Sequence, residues 1–216
     1  GSAGMLVILP DKAFLFVDGR YELQARQEVD LNKITVINED PCFINACYFL
    51  QKNGLQIIAY DGMTVAAAEQ KSAEEIFKNL YLMNIGDLIC IDRKTPVKVL
   101  ERPLKYAGKS REEKLEQITA LLKEYGADYY LLTAADSVSW LLNIYAKDLA
   151  CSPVVRAYAL IGTDGTVALI GDNLQADLPV WTFEKLINWL NDNKAKILYD
   201  ENRSEERRVG KECRSR

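Results

Sequence analysis

The chain has 216 residues, 49% of them hydrophobic and 27% charged, so it can bury one large or two ordinary cores and is not a disordered polymer. It contains no histidine, which excludes Ser-His-Asp and Cys-His catalysis and the common catalytic zinc sites from these residues, since each uses an imidazole. The formal net charge of −4 is uneven: residues 203–216 hold six basic and three acidic side chains, a surplus of three, which leaves −7 on residues 1–202 and argues against nucleic acid as a partner.

Residues 13–17 (AFLFV) read as a buried strand, because aromatic and β-branched residues run unbroken into the turn pair Asp18-Gly19. Residues 20–28 are rich in helix formers, with Tyr21 and Ala25 on one face. A helix follows near residues 42–52 and closes at Asn53-Gly54, and residues 55–60 (LQIIAY) form the next strand. Ser72 with Glu75 has the spacing of a capping box, so a helix is expected to start there and to place Ile76, Leu80 and Met83 on one side.

The polar stretch 101–110 (ERPLKYAGKS) reads as a domain boundary, with residues 1–101 before it and 102–202 after it. Ser110 and Glu113 form a second capping box, Leu115, Ile118, Leu121 and Leu122 supply the buried stripe, and Gly126 stops the helix. Residues 127–133 are the strand that follows. Asp136 is placed to cap a short helix over residues 137–143 that carries Val138, Trp140, Leu141 and Leu142 and reads as buried nearly all round. Residues 154–161 and 166–170 are strands joined at Thr163-Asp164-Gly165, a hairpin signal. A helix over 182–190 and a strand over 195–199 complete two α/β units. Strict βαβ alternation is absent, so mixed sheets flanked by helices are expected.

No apolar run approaches the ~18 residues of a membrane helix, and no signal-peptide layout opens the chain, which points to a soluble, cytoplasmic protein without a membrane partner. The five cysteines (Cys42, Cys47, Cys90, Cys151, Cys213) lack disulfide-framework or zinc-ribbon spacing and read as free thiols, including the close pair Cys42 and Cys47. Asp18, Arg20 and Tyr21 invite an active-site reading, but turn chemistry, a local ion pair and packing on the sheet account for them. Lys147-Asp148 reads as solvated loop charge, and Trp140 and Trp189 as core. Gly108-Lys109-Ser110 lacks the preceding glycine and strand of a phosphate loop, and residues 162–165 belong to the hairpin. The stretch 203–216 reads as a disordered or non-native basic tail.

Four stretches carry a family likeness. Gly1-Ser2-Ala3-Gly4 leads to Asp18-Gly19-Arg20-Tyr21 and Gln24-Ala25; Ala107-Gly108-Lys109-Ser110 runs into Glu113-Lys114-Leu115; residues 136–143 read DSVSWLLN; and Asp148 precedes Pro153-Val154 and Tyr158-Ala159. In this order and spacing they resemble the front part of Xaa-Pro aminopeptidases (aminopeptidase P), the creatinase-type N-terminal domains that precede a metallopeptidase domain. The resemblance covers nearly the whole chain and departs at Asn143-Ile144-Tyr145-Ala146, where family members continue Asn-Leu-Arg-Gly, so no substrate contact of that arginine carries over.

The resemblance implies two tandem creatinase-type N-terminal domains, the first truncated at its N-terminus if Gly1-Ser2 belong to the family motif and are not a protease-cleavage scar. A sheet without its earliest strands would expose an edge. It also implies a parent enzyme that removes the N-terminal residue before proline, with two divalent metals, typically manganese, held by two Asp, one His and two Glu of a C-terminal catalytic domain. No catalytic, cofactor-binding or metal-binding residue is then assigned to this chain. Its partners would be a peptide with proline in second position and its own catalytic domain, with a homodimer open for the full enzyme. The rival readings are a non-catalytic peptidase-like module of the kind found in a histone chaperone, and a creatinase or prolidase relative.

Overall fold

The computed structural model describes residues 4–62, 64–86, 95–149 and 152–202, and its contacts divide the chain into two units, Gly1–Leu88 and Ile89–Arg216. The opening Gly1-Ser2-Ala3 of the first motif, Cys90, Cys151, Cys213 and the tail 203–216 lie outside the described residues.

The first unit runs β1 (Met5–Ile8), β2 (Ala13–Val17), α1 (Glu22–Glu28), β3 (Ile34–Asn38), α2 (Phe43–Lys52), β4 (Ile57–Tyr60), α3 (Ala67–Ile76) and β5 (Tyr81–Asn84). In its sheet β2 lies between antiparallel β1 and parallel β3, and β4 pairs in parallel with β5. The period-two alternation of a strand sorts β2 between two cores. Phe14 and Phe16 join Phe43, Cys47 and Leu50 of α2 and stack on Phe49 at centroid distances of 4.7 and 5.4 Å. Leu15 and Val17 instead meet Ala25 of α1 and Val36 of β3.

One sequence expectation in this unit is corrected. The third helix begins at Ala67 after Ala66, and Ser72 lies exposed inside it, because an alanine run favours helix strongly enough to extend it upstream of any hydroxyl cap. Its buried face is Ala67, Gln70 and Ala73; Ile76 is exposed, Leu80 lies beyond the helix and Met83 belongs to β5.

The second unit runs β6 (Val97–Lys98), β7 (Leu100–Glu101), α4 (Leu104–Ala107), α5 (Arg111–Glu124), β8 (Tyr129–Leu132), α6 (Ala135–Leu141), β9 (Ile144–Tyr145), β10 (Tyr158–Gly162), β11 (Val167–Ile170), β12 (Leu174–Gln175), β13 (Val180–Trp181), α7 (Phe183–Asp192) and β14 (Ile197–Tyr199). The main sheet has the order β13-β11-β10-β8-β14, with β10 antiparallel to both neighbours and the two edge strands parallel to theirs, a mixed sheet as expected. Alternation again makes two layers: Leu132, Ala159, Ile161 and Leu169 face the α5–α6 side with Val138 and Leu141, while Leu131, Leu160 and Ile170 pack on Leu186 of α7. Ahead of the connector, β6 pairs with β12 and β7 with β9, so residues 97–101 are built into this unit.

The box at Ser110 forms as read: its Oγ accepts from the Glu113 N–H at 3.1 Å and the Glu113 carboxylate accepts from the Ser110 N–H at 2.7 Å. Leu122 is buried and Leu115 and Ile118 pack on the core, whereas Leu121, expected in the stripe, is exposed because it falls outside the arc that faces the sheet. Gly126 has φ +60 after the helix, and Gly165 has φ +88 in the hairpin between β10 and β11, both conformations that glycine adopts without strain. Ser110→Ala is expected to cost about 1 kcal/mol, and Ser72→Ala under about 0.5 kcal/mol; urea midpoints of the two variants at constant m check the difference.

Candidate functional site

The residues of the second unit that converge most closely surround the turn from α6 into β9. Asn143 sits there in the left-handed region at φ +51, which asparagine tolerates better than most residues. Its Oδ1 accepts from the Lys114 ammonium at 2.6 Å, its Nδ2 donates to the Lys109 carbonyl at 2.9 Å, and its own carbonyl accepts from the Arg102 N–H at 2.7 Å. One residue, through its side chain and its carbonyl, thereby ties α5, the loop ahead of it and the end of β7 to one turn.

Lys114 is only 2% exposed. Its ammonium also donates to the Trp140 carbonyl at 2.7 Å, near the C-terminal end of α6 where the helix dipole favours a cation, and lies 4.3 Å from the Trp140 ring. Burial, reinforced by the nearby charges of Arg102 and Lys109, holds the Lys114 pKa below the ordinary lysine value. Arg111 adds a 2.7 Å bond from Nε to the Leu142 carbonyl and an ion pair of 3.7 Å with Glu101. Sequence reasoning passed over Lys114, although it stands beside Leu115 in the apolar stripe of α5, which was the available signal.

Trp140, read as core, is instead 60% exposed; its neighbours Val138, Leu141 and Leu142 fill the interior, so the indole is turned outward over Lys114. Asp136 is also corrected. The N-cap residue is Ala134, and Asp136 lies in the first turn, where its Oδ1 accepts from the Ser137 N–H at 2.7 Å. At Asn143-Ile144-Tyr145-Ala146, Ile144 and Ala146 are buried and the Arg102 guanidinium lies 5.6 Å from the Tyr145 ring.

The other motifs are dispersed. Asp18 accepts from Arg20 Nη2 at 2.7 Å and Nε at 3.0 Å, and this hydrogen bonding is the main cause that lowers the Asp18 pKa; Tyr21 packs beside Leu15. Asp148 pairs with Arg156 at 2.6 Å and not with Lys147. Gly108 ends α4 and Ser110 caps α5, so the Gly-Lys-Ser triplet is a helix-to-helix turn. Trp181 and Trp189 lie 6.0 Å apart on the α7 side, away from Trp140. Cys42 and Cys47 are free, and burial pushes the Cys47 thiol up to about 12. A recess of about 540 Å³ lies by Tyr125, Tyr130, Leu198, Tyr199 and residues 200–202. Among the described residues no group of three or more His, Cys, Asp or Glu is placed to hold a metal ion, and no helix is long and apolar enough to cross a membrane.

Lys114→Met keeps the buried stem but leaves the Asn143 amide oxygen without its ammonium donor and takes the same donor from the Trp140 carbonyl, at an expected cost of about 1–3 kcal/mol in urea unfolding. The pH dependence has a definite sign. With its folded pKa below 10.5, the native chain binds fewer protons there than the unfolded one, so stability rises as pH climbs through the folded value toward 10.5. Lys114→Met should lack that increment. Cys47 acts oppositely: the unfolded thiol ionises first, so stability falls as pH rises from 9.0 toward 12. Native Cys47 is expected to alkylate more than about a hundredfold more slowly than in urea at pH 8.5, as mass spectrometry of the modified peptide would report.

Comparison with known proteins places these features in a family. Residues 1–94 and 92–207 each match a model described as creatinase/prolidase N-terminal domain. A probable Xaa-Pro aminopeptidase P of Laccaria bicolor is 32% identical over 188 residues, covering 82% of this chain and 29% of the relative. Aminopeptidase P1 of Lotus japonicus is 36% identical over 172 residues, covering 74% and 26% respectively. The chain thus spans less than a third of the length of these curated relatives. The solved X-prolyl aminopeptidase of Caenorhabditis elegans, described as a cytosolic enzyme with a di-nuclear active site, shares the fold at a TM-score of 0.80 and 21% identity, over 100% of this chain and 40% of that one. The chain belongs to the creatinase/prolidase N-terminal domain family and is homologous to the N-terminal region of Xaa-Pro aminopeptidases.

Proposed function

We propose that this chain is the non-catalytic front part of a Xaa-Pro aminopeptidase, inactive alone, whose two domains wall the substrate cleft and restrict it to peptide ends. One observation carries the reading: most of this chain aligns with under a third of enzymes named for this activity, while its own sequence holds no histidine. In this reading the partners are a peptide with proline in second position and a C-terminal catalytic domain of the same polypeptide, in the cytoplasm, with a homodimer as an allowed assembly.

Two divalent metals, manganese in the first instance, belong to that catalytic domain, where they supply an activated water. The described residues of this chain do not fit such a pair, since their Asp, Glu and Cys side chains form no ligating cluster. What these residues contribute is shape: the Lys114–Asn143 network fixes the turn that would border the cleft.

The purified chain, given manganese and a peptide with proline second, is expected to release no N-terminal residue. Manganese-dependent release proportional to the amount of chain would overturn the proposal. The coding sequence downstream of residue 202 is expected to show the order Asp, Asp, His, Glu, Glu; its absence would favour a peptidase-like binding module.

A further inference from the structure

We propose that the recess at the C-terminal end of α5 is a binding site for an alkylguanidinium, a flat organic cation on an apolar stem such as the side chain of arginine. This goes beyond the peptidase reading and does not depend on it. The site lies at the edge of the main sheet, where β14 is the last strand and runs parallel to β8 with Leu198 in register with Tyr130. Register partners project to one face of a sheet, so these two residues line the recess together. Tyr125, the C-cap residue of α5, lines it from the helix, and Asp200 and Glu201 line it from the chain that leaves β14. The volume of about 540 Å³ falls in the range of about 300–1,000 Å³ that small-ligand sites occupy.

The charges and dipoles along this lining all favour a cation. Two carboxylates contribute to it, and no lysine or arginine is among the described residues of the lining. Asp200 accepts the Asn202 N–H at 2.9 Å through Oδ1 and forms no ion pair among the described residues, so its charge is uncompensated at close range. The fourteen residues of α5 turn the negative end of their dipole toward Tyr125. Tyrosine rings attract a cation through the negative potential of their faces, and the net charge of −7 on residues 1–202 draws cations to the surface. The lining also decides between cations. A calcium ion takes about six to eight oxygen ligands, and among the described residues no group of three or more His, Cys, Asp or Glu is placed to hold a metal. Tyr125, Tyr130 and Leu198 suit an apolar stem instead. A guanidinium stacks its plane on a tyrosine while its fixed fork of donors reaches a carboxylate, which an ammonium point charge does less well.

The test is a titration of the isotope-labelled whole chain with butylguanidinium at low salt, followed by amide chemical shifts. Saturable shifts are expected at Tyr125, Tyr130 and residues 198–202, weakening in 0.5 M NaCl as screened charges do. Butylurea, of the same shape without the charge, is expected to bind at least about tenfold more weakly. Asp200→Asn keeps an acceptor for the Asn202 N–H and should weaken binding about threefold while the urea midpoint stays unchanged; Tyr125→Ala should weaken it by a similar factor. A capped glycine-arginine-glycine tripeptide separates the sources of the group. Tighter binding than butylguanidinium assigns the site to an arginine of a polypeptide, weaker binding assigns it to a free metabolite, and either supports the proposal. It is overturned if butylguanidinium does not saturate, if butylurea binds equally, if neither variant alters affinity, or if the shifts fall elsewhere. Displacement of butylguanidinium by micromolar calcium would overturn it as well, by making the site one for a metal.

Discussion

A single ammonium group, buried in the second unit, carries the local order around it. Lys114 has little contact with water, and an unpaired charge in such a place would cost several kcal/mol. The chain meets the requirement without a carboxylate, using the Trp140 carbonyl, the Asn143 amide oxygen and the face of an indole. Each of those acceptors is correctly placed only if α6 ends where it does and Asn143 takes its left-handed conformation. The lysine therefore enforces the geometry of the turn, and the turn in turn fixes the loop at Lys109 and the strand end at Arg102.

The sheets supply the rigid ground on which that network stands. Alternation along β8, β10 and β11 divides their side chains between two helix layers, and Leu131, Leu160, Leu169 and Ile170 are fully buried between them. Burial of such side chains stabilises by about 1.5–3 kcal/mol each, which is ample to hold one desolvated cation. The same division explains why Trp140 faces outward: the inner positions of α6 belong to Val138, Leu141 and Leu142, and Ser139 is committed to bonds with the Ala135 carbonyl and the Val155 N–H.

Sequence reading succeeded where one local cause dominates. The Ser110 box, the hairpin at Asp164-Gly165 and the strand over residues 13–17 each rest on neighbours within a few positions, and all three form as read. It failed where two local causes compete. At Ser72 the capping signal lost to an alanine run, and at Asp136 the cap lost to a helix that starts two residues earlier than read. The strands β1, β3 and β5 were missed because β1 and β3 are sheet edges with a single buried residue each and β5 carries exposed Tyr81 and Met83, so their pattern lacks a clean buried alternation.

By itself the sequence determined the fold class, the family likeness and the absence of imidazole chemistry, because composition and short motifs depend on residue identity alone. The tertiary structure decided which faces are buried: that Lys114 goes inside, that Trp140 comes out, and that Asn143 joins three segments. Those outcomes depend on partners 26 to 34 residues away in the chain, a separation that no local periodicity records.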